Sequence, residues 1–446
     1  MIAGERKQPV LIIGGGLAGC EAAWQLLRAG VPVRMYEMRP GRMTLAHRTG
    51  RLAELVCSNS LRSTSLDRAQ GVLKAELRIL GSLILHCAEA TAVPAGDALA
   101  VDREKFAQLV EERLLAEPNF ELVREEVCEI PDDELCIVAT GPMTSEGMAA
   151  ELQAILGRQF LHFYDAVSPI VSADSIDMSK VFCASRYEKG EPAYLNCPMT
   201  KEQYEAFHRE LVSAAVAEGR EFDPREIFEG CVPLEEVARR GVDALRYGAM
   251  KPVGLVDPRT GERPWAVVQL RAENKEKTMY SLVGFQTGLR WGEQRRVFRM
   301  IPGLENAEFL RYGVMHRNVF VDGPRCLDRF QRPHNWPKVF LAGQLTGVEG
   351  YVESTMSGLF AGINAARLAR GEGELLRPPA ETVCGALLRY VTESETPDFQ
   401  PMNANFGLLP PVEGENKKER RAVMAQRALE AMRRFCEEHG LGQFRR

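Results

Sequence analysis

Residues 10–37 constrain this chain more than any other stretch. Val10-Leu11-Ile12-Ile13 is a continuous apolar run suited to a strand buried on both faces. It leads into Gly14-Gly15-Gly16-Leu17-Ala18-Gly19, in which Gly14, Gly16 and Gly19 fit G-x-G-x-x-G. In such a turn the first glycine permits the sharp bend and the second lets a pyrophosphate approach the backbone. The third lets helix and strand pack closely. A helix is predicted over 20–28, stopping at Gly30, and a second strand over 33–36 delivers Glu37. A carboxylate at that strand end accepts two hydrogen bonds from a ribose diol and repels a ribose phosphate. Strand, helix, second strand and acid stand in register, which points to a dinucleotide-binding α/β unit.

At 446 residues the chain is too long for one ordinary core, so two or three lobes are expected. The net charge of −5 means that any contact with nucleic acid must come from a local basic patch. The N-terminus reads without a charged-then-apolar leader, and no run of eighteen apolar residues occurs; a cytoplasmic protein with no membrane contact is expected. Eleven scattered cysteines without a C-x-x-C pair argue for a reducing compartment and against disulfides or a structural metal.

Downstream of Glu37, the turn Met38-Arg39-Pro40-Gly41 suits ribose or adenine edges. Next comes the polar stretch Glu54-Leu55-Val56-Cys57-Ser58-Asn59-Ser60, whose small hydroxyl residues leave Cys57 accessible. Helices are predicted over 66–80 and from Arg103 to about residue 116, the second with Asp102 as N-cap. A strand over 135–139 ends in Ala139-Thr140-Gly141, the kind of strand end that closes over a cofactor. From about residue 184 aromatic residues increase and the glycine-linked strands stop. Helices are predicted over 201–218 and 233–240, the latter bracketed by Pro233 and Gly241. Strands are predicted over 265–270 and 279–283. The cofactor-domain pattern returns with the strand running into Gly343-Gln344, then Leu345-Thr346-Gly347-Val348-Glu349-Gly350-Tyr351 and a helix over 354–370. Such a turn presents N–H groups to an electron-rich ligand. A dinucleotide domain closed by both ends of the chain favours FAD, held permanently, over a nicotinamide cofactor that comes and goes.

The expected class is therefore α/β. A Rossmann-like FAD-binding domain is assembled from residues 1–183 and 285–375, with an inserted α+β domain over 184–284 and a helical C-terminal region over 376–446. Lys417-Lys418-Glu419-Arg420-Arg421, continued by Arg427, Arg433 and Arg434, is the best charge patch, either solvated or RNA-binding.

Several long strings carry a family resemblance. They are the Gly14–Gly19 turn, the Glu54–Ser60 stretch, Phe228-Glu229-Gly230-Cys231-Val232-Pro233, Gly284-Phe285-Gln286-Thr287-Gly288-Leu289-Arg290-Trp291-Gly292-Glu293-Gln294, Tyr312-Gly313-Val314-Met315-His316-Arg317-Asn318 and the Gly343–Tyr351 turn. Through them the sequence resembles the bacterial folate- and FAD-dependent tRNA (uracil-5-)-methyltransferases over nearly its whole length. The resemblance implies methylation of the T-loop uridine at position 54 of tRNA, with 5,10-methylenetetrahydrofolate as carbon donor and FAD, reduced by NADH or NADPH, as reductant. tRNA is the implied partner, through its T-arm, and no obligate protein partner is evident.

Carbon 5 of uracil is a poor nucleophile until a nucleophile adds to carbon 6. Cys231, just ahead of a predicted helix start at Pro233, suits that addition. The family likewise implies a functional thiol at Cys57, either removing the proton from carbon 5 or guarding the flavin. Trp291 and His316 are placed beside a folate pterin. Arg290, with Arg295 and Arg296, suits folate carboxylates, RNA phosphates or plain solvent. Cofactor contacts are expected from Gly14, Gly15, Gly16, Leu17, Ala18, Gly19, Glu37, Arg39, Gly141, Gly343, Gln344, Gly350 and Tyr351. Arg239 and Arg240 are further candidates for RNA phosphates. Two other readings stay open: a flavin oxidoreductase with redox-active cysteines acting on a small molecule, and a non-catalytic RNA-binding flavoprotein.

Overall fold

The computed structural model describes residues 8–44, 46–157, 160–166, 168–188, 192–217, 232–274, 276–313, 315–395, 399–413 and 416–442; for 160–166, 188 and 315–318 the description covers the backbone alone. Cys231 lies outside the described residues.

The apolar run Val10–Ile13 is the central strand of a five-stranded parallel sheet, fully buried. On one side it pairs with Val33–Tyr36, which pairs with Phe120–Val123; on the other it pairs with Cys136–Val138, which pairs with Val339–Leu341. The expected closure of one domain by both chain segments is what the strand order displays. Helix Leu17–Arg28 starts three residues earlier than the pattern predicts and packs along helix Tyr351–Ala369. Glycines on the second helix allow the approach: a Cβ at Gly362 would stand 2.6 Å from Ala22 O, and one at Gly358 would overlap Ala18 O. Helix Arg103–Leu115 opens as expected, with the Asp102 side chain accepting from Lys105 N.

Buried carboxylates take over two further helix starts, where N–H groups lack intrahelical acceptors. Glu21 accepts from Ser82 Oγ at 2.7 Å and Ile84 N at 3.1 Å, and Glu76 accepts from Val383 N and Cys384 N at 2.8 Å each. Burial pushes the Glu76 carboxyl up to about 7, with the N–H donors acting against it.

The inserted domain is wider than residues 184–284. Its six-stranded antiparallel sheet runs in the order Phe182–Ala184, Tyr194–Met199, Ala266–Ala272, Met279–Leu282, Ile170–Ser172, Phe309–Arg311. Two of these strands lie outside the expected bounds. Each is only three residues long and belongs to the domain through its pairing. A separate core, including Cys197, Phe207, Val268, Phe285 and Phe298, joins the sheet to helices Lys201–Ser213 and Trp291–Phe298. The chain leaves the nucleotide domain along Phe160–Ala166 and returns along Met315–Val321, and these two strands pair as an antiparallel ribbon.

Beyond residue 375 the chain forms helices Val383–Glu393 and Lys417–His439. The long one begins at Asn416, whose side chain accepts from Lys418 N and Glu419 N, and stops at left-handed Gly440. It buries Ala425, Ala428, Met432 and Phe435 and packs on helix Ala69–Leu80. Among the described residues no helix is long and apolar enough to cross a membrane, and no cluster of side chains suits a metal ion.

Candidate functional site

The three motif glycines do different work. A Cβ at Gly14 would come within 2.5 Å of Ala139 O, and one at Gly19 would overlap Gly14 O, so the chain's own packing demands both. Gly16 has φ −78°, open to any residue, and a Cβ there would meet nothing within 4 Å. Nothing inside the protein requires a glycine at 16. Its bare backbone faces a cavity at the start of helix Leu17–Arg28. Gly14, Gly15, Leu17 and Ala18 line the same cavity, as do Gly141, Gly343, Gln344 and Tyr351 from the facing strand ends. Gly343 N donates to Ser357 Oγ at 2.9 Å, and Gln344 Nε2 to Glu349 Oε2 at 2.7 Å, which fixes that wall. Gly350, at φ +121°, precedes the helix that Tyr351 opens.

Glu37 and Arg39 line this cavity too, but they are occupied with each other. The Glu37 carboxylate accepts from Gly15 N (2.9 Å), Arg39 N (3.0 Å), Arg39 Nε (2.9 Å) and Arg39 Nη2 (3.1 Å). Arg39 Nη1 reaches Glu54 at 3.1 Å, and the arginine is 2% exposed. Burial alone would raise Glu37; the hydrogen bonds and charge of Arg39, with the N–H of Gly15, outweigh it and hold the carboxyl below its usual range. A carboxylate has about four acceptor positions, and these four N–H donors already reach that of Glu37. Arg39, expected to read ribose or adenine, serves as a brace between two carboxylates. His47 enters the wall without any signal in the sequence. Its Nδ1 lies 2.7 Å from Thr44 Oγ1, and burial, helped by the Arg39 charge, pushes it down to about 4.

A second cavity opens on the other side of a shared wall that includes Val56, Pro142, Gln344 and Tyr351. Cys57, half-buried, lines it together with Ser58, Arg62, Arg271 and Gln286. The strip around this thiol is held at nearly every polar group. Tyr351 Oη accepts from Cys57 N (2.7 Å) and Ser58 N (3.1 Å). Arg103 donates to Leu55 O (2.8 Å) and Cys57 O (2.9 Å), and Arg311 to Val56 O (2.6 Å). Arg271 donates to Ser58 Oγ (2.6 Å) and Asn59 Oδ1 (2.7 Å), while Asn59 Nδ2 donates to Ala272 O (2.9 Å).

Arg271 and Arg311 stand on strands of the inserted sheet and Arg103 on the nucleotide domain, so the bonds that fix Cys57 also join the two domains. Glu273 pairs with Arg103 Nε across that junction, and its other oxygen has no partner among the described residues. Burial would raise the Glu273 carboxyl; the charges of Arg103 and Arg271 hold it low. Burial pushes Arg311 down to about 10, with the Arg103 and Arg48 charges adding to the effect. Three guanidinium groups thus converge on the strip that carries Cys57. The spacing of residues 103, 271 and 311 along the chain gives no hint of this convergence.

The other expected residues lie apart. Trp291 and Arg290 are exposed on the inserted domain and line neither cavity. His316 stands on the ribbon strand Met315–Val321, its backbone paired with Asp165. Arg239 is ion-paired with Glu236, and Arg240 caps the same short helix, Leu234–Arg239. That helix spans six residues, too short for much of the dipole invoked for Cys231. It is tied down nonetheless: Leu234 N donates to Gln286 O at 2.7 Å, and the Glu235 carboxylate accepts from Gly288 N at 2.7 Å. Lys417, Lys418, Arg433 and Arg434 are exposed on the C-terminal helix.

Residues 9–373 match the family described as glucose inhibited division protein A. Over 423 residues the chain is 57% identical to the methylenetetrahydrofolate--tRNA-(uracil-5-)-methyltransferase TrmFO of Moorella thermoacetica, an alignment covering 94% of this chain and 97% of that protein. It is 55% identical to the protein of the same name from Enterococcus faecalis, with the same coverage. Among solved structures, GidA of Aquifex aeolicus is similar with a TM-score of 0.69 and 17% identity, covering 98% of this chain and 75% of that one. At that identity the likeness is one of fold.

Proposed function

The chain belongs to the methylenetetrahydrofolate--tRNA-(uracil-5-)-methyltransferase family, and we propose that it methylates carbon 5 of the uridine at position 54 in the T-loop of tRNA. Its carbon donor is 5,10-methylenetetrahydrofolate, and its reductant is FAD, itself reduced by NADH or NADPH. The observation that carries the cofactor reading is Gly16: a glycine that no neighbour inside the protein requires, at a helix start, facing a cavity. The Gly14–Gly19 turn fits a pyrophosphate there, and Gly141, Gly343 and Gln344 fit the opposite side. When bound, FAD supplies the electrons that convert a methylene into a methyl group.

The protein's part is to activate the base and manage a proton. The Cys231 thiolate adds to carbon 6; the sulfur–carbon bond forms, and the double-bond electrons make carbon 5 nucleophilic toward the one-carbon unit. As carbon 5 bonds to the methylene carbon, the proton on carbon 5 leaves to a base, and the bond from that carbon to the folate nitrogen breaks with departure of tetrahydrofolate. A hydride equivalent, available when the reduced cofactor is bound, would convert the methylene to methyl while the ring double bond re-forms and expels the Cys231 sulfur as thiolate. We assign the base to Cys57, whose strip Tyr351 and three arginines hold at the edge of the second cavity. Of the three folate candidates, Trp291 and Arg290 stand outside both cavities, and His316 is described by its backbone alone, so no folate contact is assigned. The exposed lysines and arginines of helix Lys417–His439 supply phosphate contacts.

The test is incubation with unmodified tRNA transcript, methylene-labelled folate and NADPH, followed by mapping of the label. Methyl label at uridine 54 is expected. Cys57→Ala and Cys231→Ala abolish it with FAD still bound. NADPH consumption without label in RNA would instead identify a small-molecule oxidoreductase.

A further inference from the structure

The inserted domain carries an aromatic ladder that the reaction does not use. Phe309 stacks on Tyr312 with ring centroids 5.2 Å apart and planes 13° from parallel, and Tyr312 stacks on Trp291 at 5.5 Å and 12°. The ladder ends in solvent: Trp291 is 59% exposed, and Tyr312 is the one ring stacked on it among the described residues. Its footing is firm. Trp291 opens helix Trp291–Phe298, and one turn along, Gln294 reaches back, donating to Gly313 O and accepting from Gly313 N, both at 2.8 Å. Tyr312 and Trp291 are therefore braced to each other through main chain as well as rings. An exposed indole held this way loses little conformational freedom on binding, so a flat partner gains most of the stacking free energy.

The setting of the ladder selects the partner. A pterin must reach the cavities where the flavin and Cys57 are placed, and Trp291 lines neither. Cations flank the indole. Arg290 immediately precedes it, and Arg295, four residues on and so on the same helical face, is exposed. On a chain of net charge −5, aromatic face and guanidinium groups together match a base and its phosphates. We propose that the outer face of Trp291 receives an unpaired base of the substrate tRNA, with Arg295 beside it on the backbone. The proposal rests on the tRNA reading above. It places recognition at the ladder, apart from the cavity where the target uridine reacts, so that the flanking strand is gripped while one base is drawn out.

The experiment measures equilibrium binding of unmodified tRNA to full-length, FAD-loaded protein without folate or NADPH, and separately the folate KM in turnover. Trp291→Ala weakens tRNA binding about tenfold or more, Trp291→Phe retains most of the affinity, and the folate KM is unchanged in both. Arg295→Gln weakens binding less and lowers its salt dependence. FAD content and melting midpoint check folding. Should Trp291→Ala fold poorly, the wild-type minus Trp291→Phe difference in indole fluorescence serves instead, with quenching by tRNA expected. Unchanged tRNA affinity in Trp291→Ala, an unquenched difference signal, or a raised folate KM with tRNA binding intact would each overturn the proposal. A wild type that neither binds nor methylates tRNA would sink the functional reading itself, whereas one that methylates normally while Trp291→Ala binds normally removes the ladder alone.

Discussion

Glu273→Gln tests whether the junction that holds Cys57 depends on one buried charge. Glu273 is 2% exposed and pairs with Arg103, whose remaining nitrogens hold Leu55 O and Cys57 O. The amide keeps the shape but leaves Arg103, Arg271 and Arg311 without that anion. Removing one partner of a buried pair costs about 3–5 kcal/mol, because the other charge stays desolvated. With roughly 2.1 cal/mol/K of unfolding entropy per residue, 446 residues unfolding as one unit lose about 3–5 °C of melting midpoint. The sign with pH follows from the direction of the shift. The carboxyl is held below the ordinary glutamate value of 4.5, so its contribution is full above that value and fades as pH falls through the lower folded one. The gap between wild type and variant is therefore widest near neutrality and closes in acid. Scanning calorimetry from pH 7 down to about pH 2 reads both quantities, and an Arg103→Met, Glu273→Gln double variant reads the coupling. A midpoint within 1 °C of wild type at pH 7, or a double variant whose loss equals the sum of the single losses, would refute the argument.

Three other outcomes follow from the same geometry. Gly16→Val purifies without FAD yet melts like wild type stripped of its flavin, whereas Gly14→Ala, aimed at Ala139 O, melts below that reference and also lacks cofactor; absorbance at 450 nm and melting separate them. His47, held near 4 against an ordinary 6.5, binds its proton more readily in the unfolded chain, so stability falls as pH drops from 6.5 toward 4. His47→Gln flattens that stretch of the melting curve, and an unchanged slope would show that the imidazole stays solvated. Gly358→Ala forces helix Tyr351–Ala369 away from helix Leu17–Arg28 and lowers the midpoint by several degrees, measured without substrate.

What could be read from the sequence was what is local. The glycine turn, the Asp102 cap and the helix beside Pro233 each depend on neighbours within a few residues; the first two appear where the spacing placed them, and the third opens one residue later, at Leu234. The bounds of the inserted domain were not legible. Ile170–Ser172 and Phe309–Arg311 are too short to show alternation and owe their strand state to partners far along the chain. The surroundings of Cys57 were hidden for the same reason: Arg103, Arg271 and Arg311 meet only once two domains have folded against each other. Arg39 misled in the opposite sense. A basic residue after the second strand suggests a ligand contact, and the two carboxylates that claim it become visible only in three dimensions.

The strand Val339–Leu341 completes a sheet whose middle strand, Val10–Ile13, leaves the ribosome far earlier. Roughly 300 residues separate them, about 15–60 s of translation at about 5–20 residues per second. From the synthesis of Cys136–Val138 onward, roughly 200 residues or about 10–40 s at that rate, the nascent sheet has an open edge at that strand, and the glycine turn lacks the wall contributed by Gly343 and Gln344. The inserted domain, contiguous and with a core of its own, can mature while the sheet waits. Capture of the flavin is thereby postponed until synthesis is nearly finished.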